Sequence, residues 1–94
     1  MIGKFVVVRT YSAGVHVGTL ASHDGKNVTL TDARRLWRWS GANSLNEVSQ
    51  KGADMSYTRI SEPVPKIMLT ESIELIPCSD AGRENLTQSR WDKK

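Results

Sequence analysis

The dipeptide Asp24-Gly25 constrains this chain more than any other local feature. Strand-like sequence flanks it on both sides, VHVGTLAS before and NVTLTDARRLWRW after, and an Asp-Gly step supplies the positive-φ positions that match strand twist in a tight hairpin. The expectation is a β-hairpin with its tip at Asp24-Gly25. In the first arm Val15, Val17 and Thr19 alternate with His16, Gly18 and Leu20, the period of a pleated strand. The returning arm sets Val28 and Leu30 on one face and is expected to bend or bulge near Asp32-Ala33. Upstream, KFVVVRTY places Phe5, Val7 and Arg9 on one face and Val6, Val8 and Thr10 on the other. Both faces begin apolar, so this strand is expected to be central.

Beyond Gly41 the period changes. Ser44-Leu45-Asn46-Glu47 has the form of a capping box, Leu45 and Val48 are helically spaced, and Gly52 is a stop signal, which predicts a short helix of about two turns. Pro63 and Pro65 exclude a central strand between Glu62 and Lys66 and leave an extended edge or connector. Ile67 to Leu69 and Ile73 to Ile76 read as short final strands, the second ended by Pro77.

At 94 residues the chain has room for one core. The expected organisation is a single domain over 1–78 and a polar C-terminal tail over 79–94, with Trp91 the tail's one large apolar group. About five short strands and one helix predict a mainly β fold, a small bent antiparallel β-barrel of the SH3-like or Sm-like kind. Gly14 and Gly18 would serve its curvature. Small barrels with exposed edge strands close that edge against a neighbour, so a homo-oligomer is expected.

Charge and cysteine content narrow the classes of function. The net charge is +3, and it is uneven: residues 1–41 carry +4 and residues 42–94 carry −1. An anion-attracting field would therefore belong to the first half. One cysteine and two histidines leave no disulfide framework and no zinc cluster, so neither a metal nor a cofactor is expected. The apolar runs are shorter than the roughly 18 residues of a membrane span, and the start MIGKFVVVRT lacks a full secretion signal. A soluble, cytoplasmic chain with no membrane partner is the expectation.

The densest chemical feature is Arg34-Arg35-Leu36-Trp37-Arg38-Trp39-Ser40-Gly41-Ala42-Asn43. Extended, it would set Arg35, Trp37 and Trp39 on one face and Arg34, Leu36 and Arg38 on the other. Guanidinium groups beside indoles suit a phosphorylated ligand with a π-face, because Arg forks onto phosphate and Trp offers a stacking surface. The bland alternatives are that one or both tryptophans serve the core and that Arg34 and Arg35 are a solvated pair. Asn43 and Ser44 lead into a helix N-terminus where phosphate could sit, although capping alone accounts for Ser44. Tyr11, Ser12 and His16 offer a second binding edge, or else a β-turn and a half-exposed histidine. Arg9 is either aimed at a ligand or a rim charge.

Catalytic signals are thin. His23 beside Asp24 falls at the hairpin tip, where water is hard to exclude, and the chain contains no Walker-type loop and no dinucleotide fingerprint. Cys78 after Pro77 reads as a small buried hydrophobe. The chain is expected not to be an enzyme.

At Tyr11-Ser-Ala-Gly-Val-His-Val-Gly-Thr-Leu, Asp32-Ala-Arg-Arg-Leu-Trp-Arg-Trp, Gly41-Ala-Asn-Ser-Leu and Ile73-Glu-Leu-Ile-Pro-Cys, the chain resembles a family of small uncharacterised proteins from tailed bacteriophages and phage-rich metagenomes. The resemblance runs from about Gly3 to Cys78 and implies a phage accessory protein acting on host components in the host cytoplasm. Joined to the Arg/Trp stripe, it yields a functional expectation: non-enzymatic sequestration of a small phosphorylated ligand, a nucleotide immune signal of host antiviral defence, by an oligomeric sponge. Two alternatives stand beside it, a nucleic-acid-binding Sm- or OB-like barrel and a protein–protein inhibitor of a host factor anchored by Trp37, Arg38 and Trp39.

Overall fold

A computed structural model describes residues 2–38, 44–53 and 58–87. In it β1 (Phe5–Thr10) runs antiparallel between β2 (Val15–Asp24) and β6 (Ser72–Pro77). This central position follows from its apolar residues, because Val6, Val7 and Val8 are all fully buried although they alternate faces. On one side Phe5 and Val7 join Val17, Leu36, Ile60, Val48 and Leu86. On the other, Val6 and Val8 join Leu20, Val28, Leu30, Ala33 and Leu69. The strand thus divides two small cores.

The hairpin of β2 with β3 (Asn27–Arg38) turns at Gly25-Lys26, one residue later than expected, since Asp24 already pairs with Asn27. Gly25 adopts φ +60° there, a conformation open to glycine at little cost. The bulge expected near Asp32-Ala33 is present: Val17 pairs with Arg34 and Thr19 with Thr31, so Asp32 and Ala33 face the single residue Gly18. Asp32 takes φ 50° to make the bend. A Cβ on Gly18 would lie 3.0 Å from the Thr31 carbonyl oxygen and 3.2 Å from the Ala33 Cα, so the two strands approach this closely only across a glycine. The bend lets β3 serve two partners, β5 (Val64–Leu69) along Val28–Ala33 and the two-residue β4 (Arg59–Ile60) at Leu36 and Arg38.

The result is mainly β: one antiparallel sheet of six strands in the order β4-β3-β2-β1-β6, with β5 also on β3, and two helices. It differs from the expected five-stranded barrel with one helix. Among the described residues no ladder joins β5 to β6, so the bent sheet is not closed. Its partial substitute is Ser72, whose N–H and hydroxyl both donate to the Lys26 carbonyl, at 3.1 and 2.9 Å, and pin the β2–β3 turn onto β6. The physical reason for the open form lies on the Phe5/Val7 face, where helical residues supply the burial that a further strand layer would otherwise supply.

The first helix, α1 (Leu45–Lys51), begins as expected. Ser44 Oγ accepts the Glu47 N–H at 3.3 Å and Gly52 ends the helix at φ 80°. Val48 is fully buried from it. The segment expected as a polar tail opens with α2 (Asp80–Thr87), and its Leu86 is fully buried in the core. Gly82 lets α2 lie on α1, where a Cβ would come 2.0 Å from the Ser49 carbonyl oxygen. Asn85 closes the helix pair by accepting from the Ala53 N–H at 2.9 Å and donating to the Ala53 carbonyl at 3.1 Å.

Candidate functional site

The β2–β3 register sets His16 directly opposite Arg35. His16 pairs with Val8 on its other side and shares that residue's face of the sheet. Its side chain is fully buried, which corrects the half-exposed histidine that the local turn sequence suggested. Val64 and Ile67 of β5, the strand that pairs with β3 along Val28–Ala33, line a pocket together with it, so its surroundings are set by a segment far along the chain.

The imidazole is held by the β1–β2 turn. Thr10 Oγ1 donates to the Gly14 carbonyl at 2.7 Å and accepts from the Ala13 N–H at 2.9 Å, and His16 Nε2 lies 3.0 Å from the Ala13 carbonyl. A carbonyl only accepts, so Nε2 carries the proton and Nδ1 is left as an acceptor. Nδ1 is buried without a hydrogen-bond partner among the described residues. Burial holds the imidazole below its ordinary pKa; the Ala13 bond opposes this, and the nearby Arg35 charge adds to the lowering. The ring is therefore neutral at pH 7.

Arg35 is exposed, with its backbone clamped by Ser61: its N–H donates to Ser61 Oγ at 2.8 Å and its carbonyl accepts the Ser61 N–H at 2.8 Å. His16, Arg34 and Arg35 line a pocket of about 450 Å³ with Ala33, Ser61, Val64 and Ile67. This volume lies in the range of small-ligand sites. The pocket combines an apolar wall, one buried neutral acceptor and one solvent-facing cation, a set suited to an amphipathic anion.

Arg34 lines the same pocket in a different capacity. Its side chain is buried, and the guanidinium donates to the Ser61 carbonyl at 2.8 Å and the Leu86 carbonyl at 2.9 Å, with the Thr87 carbonyl at 3.4 Å. It is thus not one of a solvated pair; it ties β3 to the last turn of α2 and the β4–β5 connection.

Of the remaining expected site residues, Arg9, Tyr11, Ser12 and Ser44 do not line this pocket. Arg9 is half exposed and lies 3.6 Å from the Glu74 carboxylate, a rim ion pair. Tyr11, 80% exposed, lines a separate depression of about 300 Å³ with Lys26, Glu71 and Ile73, and the Ser12 hydroxyl donates to the Glu71 carboxylate. Ser44 caps α1. Trp37 and Arg38 continue β3 in their backbone, with Arg38 paired to Arg59; their side chains, and all of Trp39 and Asn43, lie outside the described residues. Ser61, Val64 and Ile67 were not foreseen as lining residues. Val64 between Pro63 and Pro65, with Ile67 beyond, was the available signal, and it does not say which strand it will meet.

A family model described as "Domain of unknown function (DUF6948)" matches residues 3–86. The chain belongs to this family. The matched region takes in every strand and reaches Leu86 of α2, so the whole pocket lies within the DUF6948 domain. No curated protein and no solved structure matches the chain. Among the described residues of this DUF6948 domain, no group of three or more His, Cys, Asp or Glu is placed to hold a metal ion. No helix among them is long and apolar enough to cross a membrane.

Proposed function

We propose that this protein binds and holds a small phosphorylated ligand of the nucleotide class, without transforming it, in the pocket between β2, β3 and β5. The observation that carries the reading is the exposed Arg35 at a pocket of about 450 Å³ whose other walls are Ala33, Val64, Ile67, Ser61 and the buried His16 and Arg34. A fork of guanidinium donors takes a phosphate, and the apolar wall takes a ring. The resemblance to bacteriophage proteins supplies the setting: the ligand is a nucleotide signal of host antiviral defence, sequestered in the host cytoplasm by a homo-oligomer that encloses it further. A long polyanion is a poorer match, because a net charge of +3 provides few phosphate contacts.

The test is a native mass spectrum of protein purified from a signal-rich lysate, compared with its denatured mass, followed by calorimetric titration with nucleoside monophosphates and cyclic nucleotides. An extra mass of nucleotide size, lost in Arg35→Ala, is expected. Hydrolysis of the nucleotide as the sole effect, or tight binding of long RNA with a steep salt slope and no binding of mononucleotides, overturns the reading.

A further inference from the structure

We infer that the pocket selects its ligand by a hydrogen-bond donor on the ring edge, an amine or imide N–H delivered to Nδ1 of His16, while the ligand's phosphate lies on Arg35. This rests on the nucleotide reading above and adds the rule of selection. A buried nitrogen with no partner is uncommon in native proteins and is unfavourable while it stays unsatisfied. Here the nitrogen belongs to a fully buried residue that also lines the pocket. The Thr10 hydroxyl fixes the turn, the turn presents the Ala13 carbonyl, and that carbonyl fixes the tautomer. Nδ1 is therefore an acceptor in advance of binding, and a ligand that also presents an acceptor meets lone pair against lone pair.

Depth orders the two contacts. Arg35 is exposed and His16 is buried on the neighbouring strand, so the charged end of the ligand stays at the solvent side and the ring goes inward along Val64 and Ile67. Because His16 is fully buried, contact between the ring edge and Nδ1 requires the side chains lining the pocket to move aside on binding.

The experiment compares matched ligands that differ by one amine: AMP against purine riboside 5′-monophosphate, and CMP against 2-pyrimidinone riboside 5′-monophosphate. With at least one amine-bearing ligand, wild type is expected to bind about tenfold more tightly than to its deleted partner, the effect of one net hydrogen bond. His16→Phe brings that ratio to one, His16→Asn restores part of it, and Arg35→Ala weakens both members of the pair by the same factor. The ¹⁵N resonance of Nδ1 in wild type moves upfield on adding the amine-bearing ligand and stays still with its partner, a readout independent of how the variants fold. Equal binding within both pairs by wild type overturns the donor rule and leaves the nucleotide reading standing. If no nucleotide binds at all, both fall.

Discussion

The guanidinium of Arg34 in β3 donates to the main-chain carbonyl of Leu86 at 2.9 Å, and the two side chains lie on the same side of the sheet as Leu36 and Val48. A charge that the sequence offers to a ligand is spent inside the protein, fastening the last turn of α2 to the sheet. Its neighbour Arg35 stays exposed.

Stability measurements should separate the two arginines. Arg34→Ala strands the Ser61 and Leu86 carbonyls that the guanidinium now satisfies and should destabilise by about 2–4 kcal/mol. Arg35→Ala should stay within about 0.5 kcal/mol, as exposed substitutions do. Urea denaturation of both variants checks this, and equal midpoints would remove the structural role given to Arg34.

Gly82 offers a test in which the sign alone decides. In an unobstructed helix Gly→Ala stabilises by about 1 kcal/mol. Here the new Cβ would fall 2.0 Å from the Ser49 carbonyl oxygen, backbone that must move, so Gly82→Ala should destabilise by about 1–3 kcal/mol. A rise in melting temperature would mean that α2 does not lie on α1 in this way.

The pH dependence of folding follows from His16. Its folded pKa is lowered, first by burial, whereas the unfolded imidazole titrates near 6.5. The unfolded chain therefore takes up the proton first as pH falls. The contribution to stability is complete above about pH 6.5 and is lost as pH drops through that value towards the folded pKa, with a slope of at most about 1.4 kcal/mol per pH unit. Denaturation at pH 7.5, 6.0 and 5.0 should show a loss in wild type that His16→Phe lacks; parallel curves would contradict the neutral, buried ring.

Cys78 should be slow to react. It is half buried against the Phe5 and Val7 core, and burial pushes its thiol up to about 11 from an ordinary 9.0. The thiolate, which is the reactive form, is then about 100-fold scarcer at pH 8 than for an unshifted thiol. Labelling with a chromogenic disulfide should be slow in buffer and fast in urea. Equal rates in both would place Cys78 on the surface.

Local signals carried the parts of the structure that local energetics decide. The Ser44 N-cap, the stop at Gly52 and the bulge at Asp32-Ala33 each involve groups a few residues apart, and each is found where the sequence puts it. The central place of β1 is legible because three consecutive valines need cover on both faces. The hairpin turn came one residue late, since pairing of Asp24 with Asn27 leaves Gly25-Lys26 as the loop.

The candidate site was legible only in part. The stripe around Arg34 and Arg35 does border a pocket, but Arg9, Tyr11 and Ser12 are placed elsewhere.

By itself the sequence determined a mainly β chain, its long β2–β3 hairpin, its helix start and the basic character of its first half, because propensity, turn chemistry and charge act over a few residues. Only the tertiary structure decided that β5 folds onto β3, that the sheet stays open, that His16 is buried and that Arg34 points inward while Arg35 faces solvent. The reason is that burial and hydrogen-bond partners belong to pairs of distant segments. An arginine or histidine carries the same chemistry in the sequence whether a segment distant along the chain covers it or leaves it in water.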